Sequence, residues 1–227
     1  MPEPFDFAQK IALVAGGTGG LGALIATELR ARGCIVTTVS RAPSSDAAHI
    51  SADLRSPEAI SAVMNSIVER HGALDIVVNA MGVVAFGTVD ATSIDIIEEL
   101  FLTNTFAHIF LMKEALKCAR QGSVLVGISG VIAEQNLPGM ATYGASKAAV
   151  RSFNEALTRE ARRSGVRVID ARPPHTETGL ASRAIAGDPP KMPAGLAPIK
   201  VAQRIVQAIA DGETDLPSTA FAGLSGD

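Results

Sequence analysis

The chain has 227 residues, 47% of them hydrophobic, with 21 glycines and a net charge of −3. That suits one α/β domain able to bury roughly 70–75% of its unfolded surface. The scattered charges offer no basic block for nucleic acid and no acidic interaction arm. No apolar run approaches the roughly 18 residues of a membrane span, and the acidic N-terminus lacks the regions of a signal peptide. Cys34 and Cys118 stand far apart with no metal-ligand spacing around either. The expectation is a cytoplasmic protein with reduced thiols, no bound metal, and no nucleic acid or membrane partner.

Residues 10–15 form a short apolar run ending in glycines, the mark of a strand buried on both faces. Residues 21–32 have apolar positions at helical spacing and stop at Gly33. Residues 34–39 are again β-branched and apolar, so the opening reads as one parallel βαβ unit. The alternation continues with a brief strand at 49–52 and a helix from Ser56-Pro57 to about Arg70, with proline at the first helical position. A strand at 74–79, a long helix at 94–117, a strand at 124–128, a helix at 141–163 and a strand at 166–171 follow. A Pro/Gly-rich loop spans 173–198, before a helix at 201–210 and a short strand at 215–216. This order predicts one domain over 1–227: a doubly wound, Rossmann-type parallel sheet with helices on both faces.

Gly16, Gly17, Gly19, Gly20 and Gly22 surround Thr18 and Leu21 between the first strand and first helix. They fit both G-x-G-x-x-G and G-x-x-x-G-x-G. Either form lets the backbone turn sharply and brings the helix's free N–H groups to a dinucleotide's phosphates. About 20 residues on, where an acid would bond the ribose 2′-OH of NAD, the second strand ends in Ser40 and Arg41, with no acid until Asp46. A hydroxyl followed by a guanidinium suits a 2′-phosphate, so NADP(H) is expected over NAD(H). Further along, Tyr143 and Lys147 lie four apart on a helix, hence on one face. A cation there would lower a phenol pKa that starts near 10.

Together these motifs resemble the short-chain dehydrogenase/reductase family over nearly the whole chain. Ala15 to Gly22 looks like its T-G-x-x-x-G-x-G turn with Ala for Thr. Asp53-Leu54 matches the pair that meets the adenine, and Asn79-Ala80-Met81-Gly82 resembles its N-N-A-G motif. Asn104 falls at the active-site helix asparagine, Tyr143 to Lys147 is the Y-x-A-S-K-type motif, and Pro173-Pro174 stands for the usual P-G. Thr176 and Thr178 fall where that family holds the nicotinamide carboxamide. The resemblance implies that Tyr143 exchanges a proton while hydride moves at the nicotinamide C4, that Lys147 bonds the nicotinamide ribose, and that Asn104 holds a water linking Lys147 to solvent.

One position departs from the pattern. The family's substrate-binding serine would fall at Gly130, and Ser129 is one place early. Alternation along a strand should turn Ser129 away unless a bulge re-aims it. Alternatively Gln135, Asn136 or His175 donates to the substrate, or no group does. The loop 178–198 offers Leu180, Ile185, Met192 and Leu196 as an apolar lid. An oxidoreductase acting on a small or medium apolar carbonyl or alcohol is the leading reading. A cofactor-binding regulator without turnover is the rival. A homodimer or homotetramer is expected, with Phe101, Phe106, Phe110 and Phe153 as interface or core residues.

Overall fold

Ile11–Ala15 (β1) is buried at every position, as a strand must be when helices cover both faces of its sheet. In the computed structural model, which describes residues 5–224, β1 pairs in parallel with Ile35–Ser40 (β2) on one side and Ile76–Asn79 (β4) on the other. His49–Ser51 (β3) extends the β2 edge. Val124–Ile128 (β5), Arg167–Ala171 (β6) and Asp215–Leu216 (β7) extend the β4 edge. The order is β3-β2-β1-β4-β5-β6-β7, parallel throughout.

Gly20–Ala31 (α1) and Pro198–Asp211 (α6) cover one face, where Ile25, Leu29, Ile205 and Ile209 are fully buried. Pro57–His71 (α2), Ala107–Cys118 (α4) and Ala141–Ala161 (α5) cover the other with Ile60, Met64, Leu111 and Leu157. Local chemistry sets the helix ends. Ser56 accepts the Ala59 N–H at 3.2 Å ahead of Pro57, and Gly72 closes α2 in the left-handed region. The final helix starts earlier than its periodicity suggests because Pro198 supplies an N1 residue.

The long helix expected over 94–117 is not continuous. Ile94–Leu100 (α3) runs into a π-helical turn, Phe101–Phe106, before α4 begins. Such a turn inserts an extra residue and re-aims side chains, commonly at functional sites. The strand order reverses around β1 and β4, so a crevice opens beyond their carboxyl ends, where open α/β sheets bind ligands.

Candidate active site

The glycine turn between β1 and α1 lies against the segment after β4. At Gly16 (φ +78°) an added Cβ would come within 2.8 Å of the Ala80 backbone, and one at Gly22 within 2.3 Å of the Gly16 carbonyl oxygen. No side chain caps α1, and Gly19, Gly20, Leu21 and Gly22 line a cleft of about 280 Å³. A bare helix N-terminus with so tight a glycine approach fits a dinucleotide pyrophosphate. The cleft continues past Ala80, Met81 and Gly82 to Tyr143 and Lys147, and is walled opposite by Pro173, Thr176 and Thr178.

At the adenosine end, Thr18 donates to Ser40 at 2.9 Å, tying the turn to the end of β2. Ser40 donates to the Ala42 carbonyl at 2.8 Å, and the His49 ring contacts Thr38 at 3.0 Å and the Ala42 carbonyl at 3.0 Å. Arg41 is exposed beside them. Asp46 is engaged by the Ala48 N–H at 2.9 Å and by Arg30 at 2.5 Å. Asp53 is gripped by Arg55, which also reaches Glu99 at 2.8 Å. Leu54 packs into the core with α2 and presents no side chain to the crevice.

Tyr143 and Lys147 open α5 and are both buried. Burial pushes the phenol up to about 12 and the ammonium down to about 8, the latter opposed by the charge of Asp170. The expected lowering of the Tyr143 pKa by Lys147 is therefore not found in this state: desolvation prevails, and Lys147 Nζ donates to the Ile128 carbonyl at 2.9 Å. Asn104 lies inside the π-helical turn. Its Oδ1 accepts the Val83 N–H at 2.9 Å, and its Nδ2 donates to the Val83 carbonyl and the Ser146 hydroxyl, each at 3.0 Å. The side chain thus clamps the cleft floor to α5.

The structure corrects the reading of Ser129 as a substrate donor. Its hydroxyl is buried and donates to the Asp170 carboxylate at 2.8 and 3.0 Å. Strand alternation persists to the end of β5, and no bulge re-aims the side chain. Gly130 follows at φ +81°, with the nearest atom to an added Cβ 4.0 Å away, so space stands open there. Of the alternative donors, His175 lines the cleft, while Gln135 and Asn136 are exposed and do not. The lid divides. Leu180 and Ile185 pack on the cluster around Phe86, Ile132 and Tyr143, and Met192 lines the cleft. Leu196 instead joins the core on the α1/α6 face.

Sequence reasoning missed a buried polar chain beside the cleft. Asn79 contacts His108 at 2.8 Å, His108 contacts Asn154 at 2.7 Å, and Asn154 donates to Asp170 at 2.9 Å. Arg172 binds Asp170 at 2.5 Å, Asp215 at 2.7 Å, and Glu134. The available signal was Asp170 itself, a charge in an apolar strand with its neighbours buried.

A family model described as short chain dehydrogenase matches residues 10–188. A dehydrogenase/reductase SDR family protein 7-like of Anopheles gambiae is 29% identical over 91% of this chain and 74% of its own length. A hydroxynaphthalene reductase of Aspergillus fumigatus is 32% identical over 70% of this chain and 63% of its own. Among solved structures, the ligand-free aldohexose dehydrogenase of Thermoplasma acidophilum superposes with a TM-score of 0.82 at 22% identity, covering 99% of both chains. The chain belongs to the short-chain dehydrogenase/reductase family, NAD(P)-dependent oxidoreductases of the CH–OH/C=O pair.

Proposed function

We propose that the protein is an NADP(H)-dependent oxidoreductase that interconverts a carbonyl and a hydroxyl group on a small or medium apolar substrate. The observation that carries this reading is the burial of Tyr143 and Lys147 in one cleft with the uncapped glycine turn, under the apolar Val84, Phe86, Ile132 and Met140. A bound nicotinamide supplies or takes up the hydride at its C4. Tyr143, protonated at neutral pH, gives its proton to the carbonyl oxygen as that oxygen gains charge. Lys147 stabilises the phenolate left behind and is placed to hold the nicotinamide ribose. Asn104 keeps the floor and α5 in register. With Ser129 bonded to Asp170, Tyr143 polarises the substrate oxygen alone, and the space at Gly130 admits a broader group beside it.

The preference for NADP(H) is supported by Thr18, Ser40 and the exposed Arg41 at the end of β2. It is also supported by Asp46, the nearest acid after Arg41, whose carboxylate already pairs with Arg30. Gly16, Gly19, Gly20, Leu21 and Gly22 would hold the pyrophosphate, Asp53 and the backbone of Leu54 the adenine, and Asn79 through Gly82 would form the floor. Pro173, Thr176 and Thr178 meet the carboxamide. This reading further takes 1–227 as one domain in the cytoplasm and a dimer or tetramer paired through α4 and α5. Phe106 is 47% exposed there and stacks on Phe110 at 6.3 Å. Among the described residues no helix is long and apolar enough to cross a membrane.

The test is the fluorescence of NADPH and NADH titrated with protein, followed by oxidation of the tighter cofactor across a carbonyl panel. NADPH is expected to bind at least about tenfold tighter, ~1.4 kcal/mol, for one charge-assisted phosphate contact. Arg41→Ala should erase that margin while leaving NADH binding unchanged. Tighter binding of NADH overturns the cofactor assignment. Tight binding without oxidation of any carbonyl turns the reading toward a non-catalytic dinucleotide binder.

A further inference from the structure

The buried chain beside the cleft admits one arrangement of its hydrogens. The Asp170 carboxylate only accepts, so Asn154 presents Nδ2 to it at 2.9 Å and Oδ1 to His108. His108 must therefore carry its proton on Nε2 and accept at Nδ1, where Asn79 Nδ2 donates at 2.8 Å. Asn79 Oδ1 is then free to accept, and it takes the Met81 N–H at 3.0 Å. Asn79, His108, Asn154 and Asp170 are all buried, and none of these links can be reversed without setting two donors or two acceptors face to face. The chain runs in one direction, from the Met81 amide on the cleft floor to a fixed negative charge under α5.

Its placement is specific. Gly127 lies in β5 beneath it, and an added Cβ there would sit 2.4 Å from Asn154 Nδ2 and 2.7 Å from His108 Cε1. The imidazole and amide thus occupy the room a strand side chain would take. The π-helical turn ends just before α4, and Asn104 and His108, four apart, both reach α5: Asn104 at Ser146 and His108 at Asn154. The Phe153 ring stands nearly perpendicular to the His108 ring, their centroids 5.6 Å apart.

We propose that His108 is a positioning residue for the dinucleotide. It presents a fixed acceptor to Asn79, its own tautomer set by Asn154 and Asp170, and so holds the Met81 amide, and the Ala80 to Gly82 floor with it, in the conformation that receives the cofactor. The proposal rests on that floor bounding the dinucleotide site. A neutral imidazole is required, because a proton on Nδ1 would oppose the Asn79 amide.

Two near-isosteric substitutions divide the link. His108→Asn places an acceptor near the Nδ1 position and keeps Asn79 engaged; His108→Gln places a donor near Nε2 and keeps only Asn154. His108→Leu keeps neither. The dissociation constant of NADPH, measured by its own fluorescence, is expected to stay within about twofold for His108→Asn. It should rise about three- to tenfold for His108→Gln and His108→Leu, the loss of one neutral hydrogen bond. Thermal midpoints measured alongside separate this from a structural role, under which weakened binding would follow lost stability in all three variants and overturn the proposal. On the wild-type chain, ring-nitrogen NMR should show Nε2 protonated and a shift of the Nδ1 resonance on adding NADPH. A protonated Nδ1, or no shift, overturns the proposal even if no variant folds. Failure of the wild type to bind either cofactor would overturn it together with the dinucleotide reading. Unchanged binding by His108→Leu would overturn it alone.

Discussion

The start of α5 and the end of β5 face the same cleft, yet they are held in different ways. Along α5 the reactive side chains sit in a lattice of bonds: Ser146 donates to the Tyr143 carbonyl at 2.8 Å, Thr105 to the Ser146 carbonyl at 2.9 Å, and Asn104 to the Ser146 hydroxyl at 3.0 Å. At the end of β5 the one hydroxyl in reach is turned to Asp170, and the next residue is a glycine with open space around it. In the proposed mechanism the proton-donating half of the site is thus fixed by its neighbours, and the substrate-polarising half is bare. Catalysis on this plan depends on one phenol where two donors would ordinarily share the developing charge.

The comparison is broken most directly by Tyr143→Phe. With no second donor, turnover should fall about 10²–10⁴-fold, the usual share of a general acid, while NADPH affinity stays within about twofold. Oxidation of NADPH by a reducible carbonyl measures the first and fluorescence titration the second. A loss below tenfold would mean that another group, His175 first, carries part of the proton transfer.

Arg172→Met attacks the foundation under the β5 end. Arg172 is nearly fully buried and binds Asp170, Glu134 and Asp215 at once. Its removal leaves the Asp170 carboxylate buried beside Ser129 without its cation, at a cost of about 3–5 kcal/mol. Urea unfolding should show this as a lower midpoint at unchanged slope. A drop under about 1 kcal/mol would mean that Asn154 and Ser129 alone satisfy the carboxylate.

Acidity sharpens the contrast more gently. Burial holds His108 neutral, down to about 4 from an ordinary 6.5, with smaller contributions from Asn154, Lys147 and Asp170. The unfolded chain takes up that proton first. The contribution is therefore fully present above pH 6.5 and is lost as pH falls toward 4, amounting to ~3 kcal/mol across the window. Unfolding free energies measured between pH 7 and pH 4 should decline accordingly, and His108→Leu should flatten that part of the curve. At the other end, Lys147 loses its proton near pH 8, and turnover should fall as the charge that steadies the phenolate disappears.

Much of this architecture was legible in the chain. Unbroken apolar runs such as 11–15 and 124–128 announced buried parallel strands, and the glycine turn and the Tyr143/Lys147 spacing announced the cleft. The rest depended on long-range placement. The π-helical turn leaves no periodic signature in Phe101 to Phe106, because one inserted residue shifts a face without changing composition. The depressed phenol pKa expected from a neighbouring ammonium gave way to desolvation, which only the packed structure reveals. The polar chain joins residues from β4, α4, α5 and β6, with separations of 29 and 46 positions at its His108 contacts, and no local pattern links them.

The smallest expected effect tests the bare half most closely. Ser129→Ala removes a donor from Asp170, but that carboxylate keeps Asn154 at 2.9 Å and Arg172 at 2.5 Å. Stability should fall by about 1 kcal/mol, the net worth of one hydrogen bond, and turnover should change less than about twofold, because the hydroxyl faces away from Tyr143's substrate. A fall of about 10²–10³, the loss typical of a missing oxyanion donor, would require Ser129 to reach the substrate. The strand end would then have to rotate when the cleft fills, using the freedom that Gly130 has at φ +81° and leaving Asp170 to Asn154 and Arg172. The double substitution Ser129→Ala, Gly130→Ala separates the cases. If the strand end stays fixed, the second change adds the strain of a left-handed alanine, about 1–2 kcal/mol of stability, and leaves intact the turnover of a substrate too small to fill the space at 130. If it rotates, restoring a Cβ at 130 changes turnover as well.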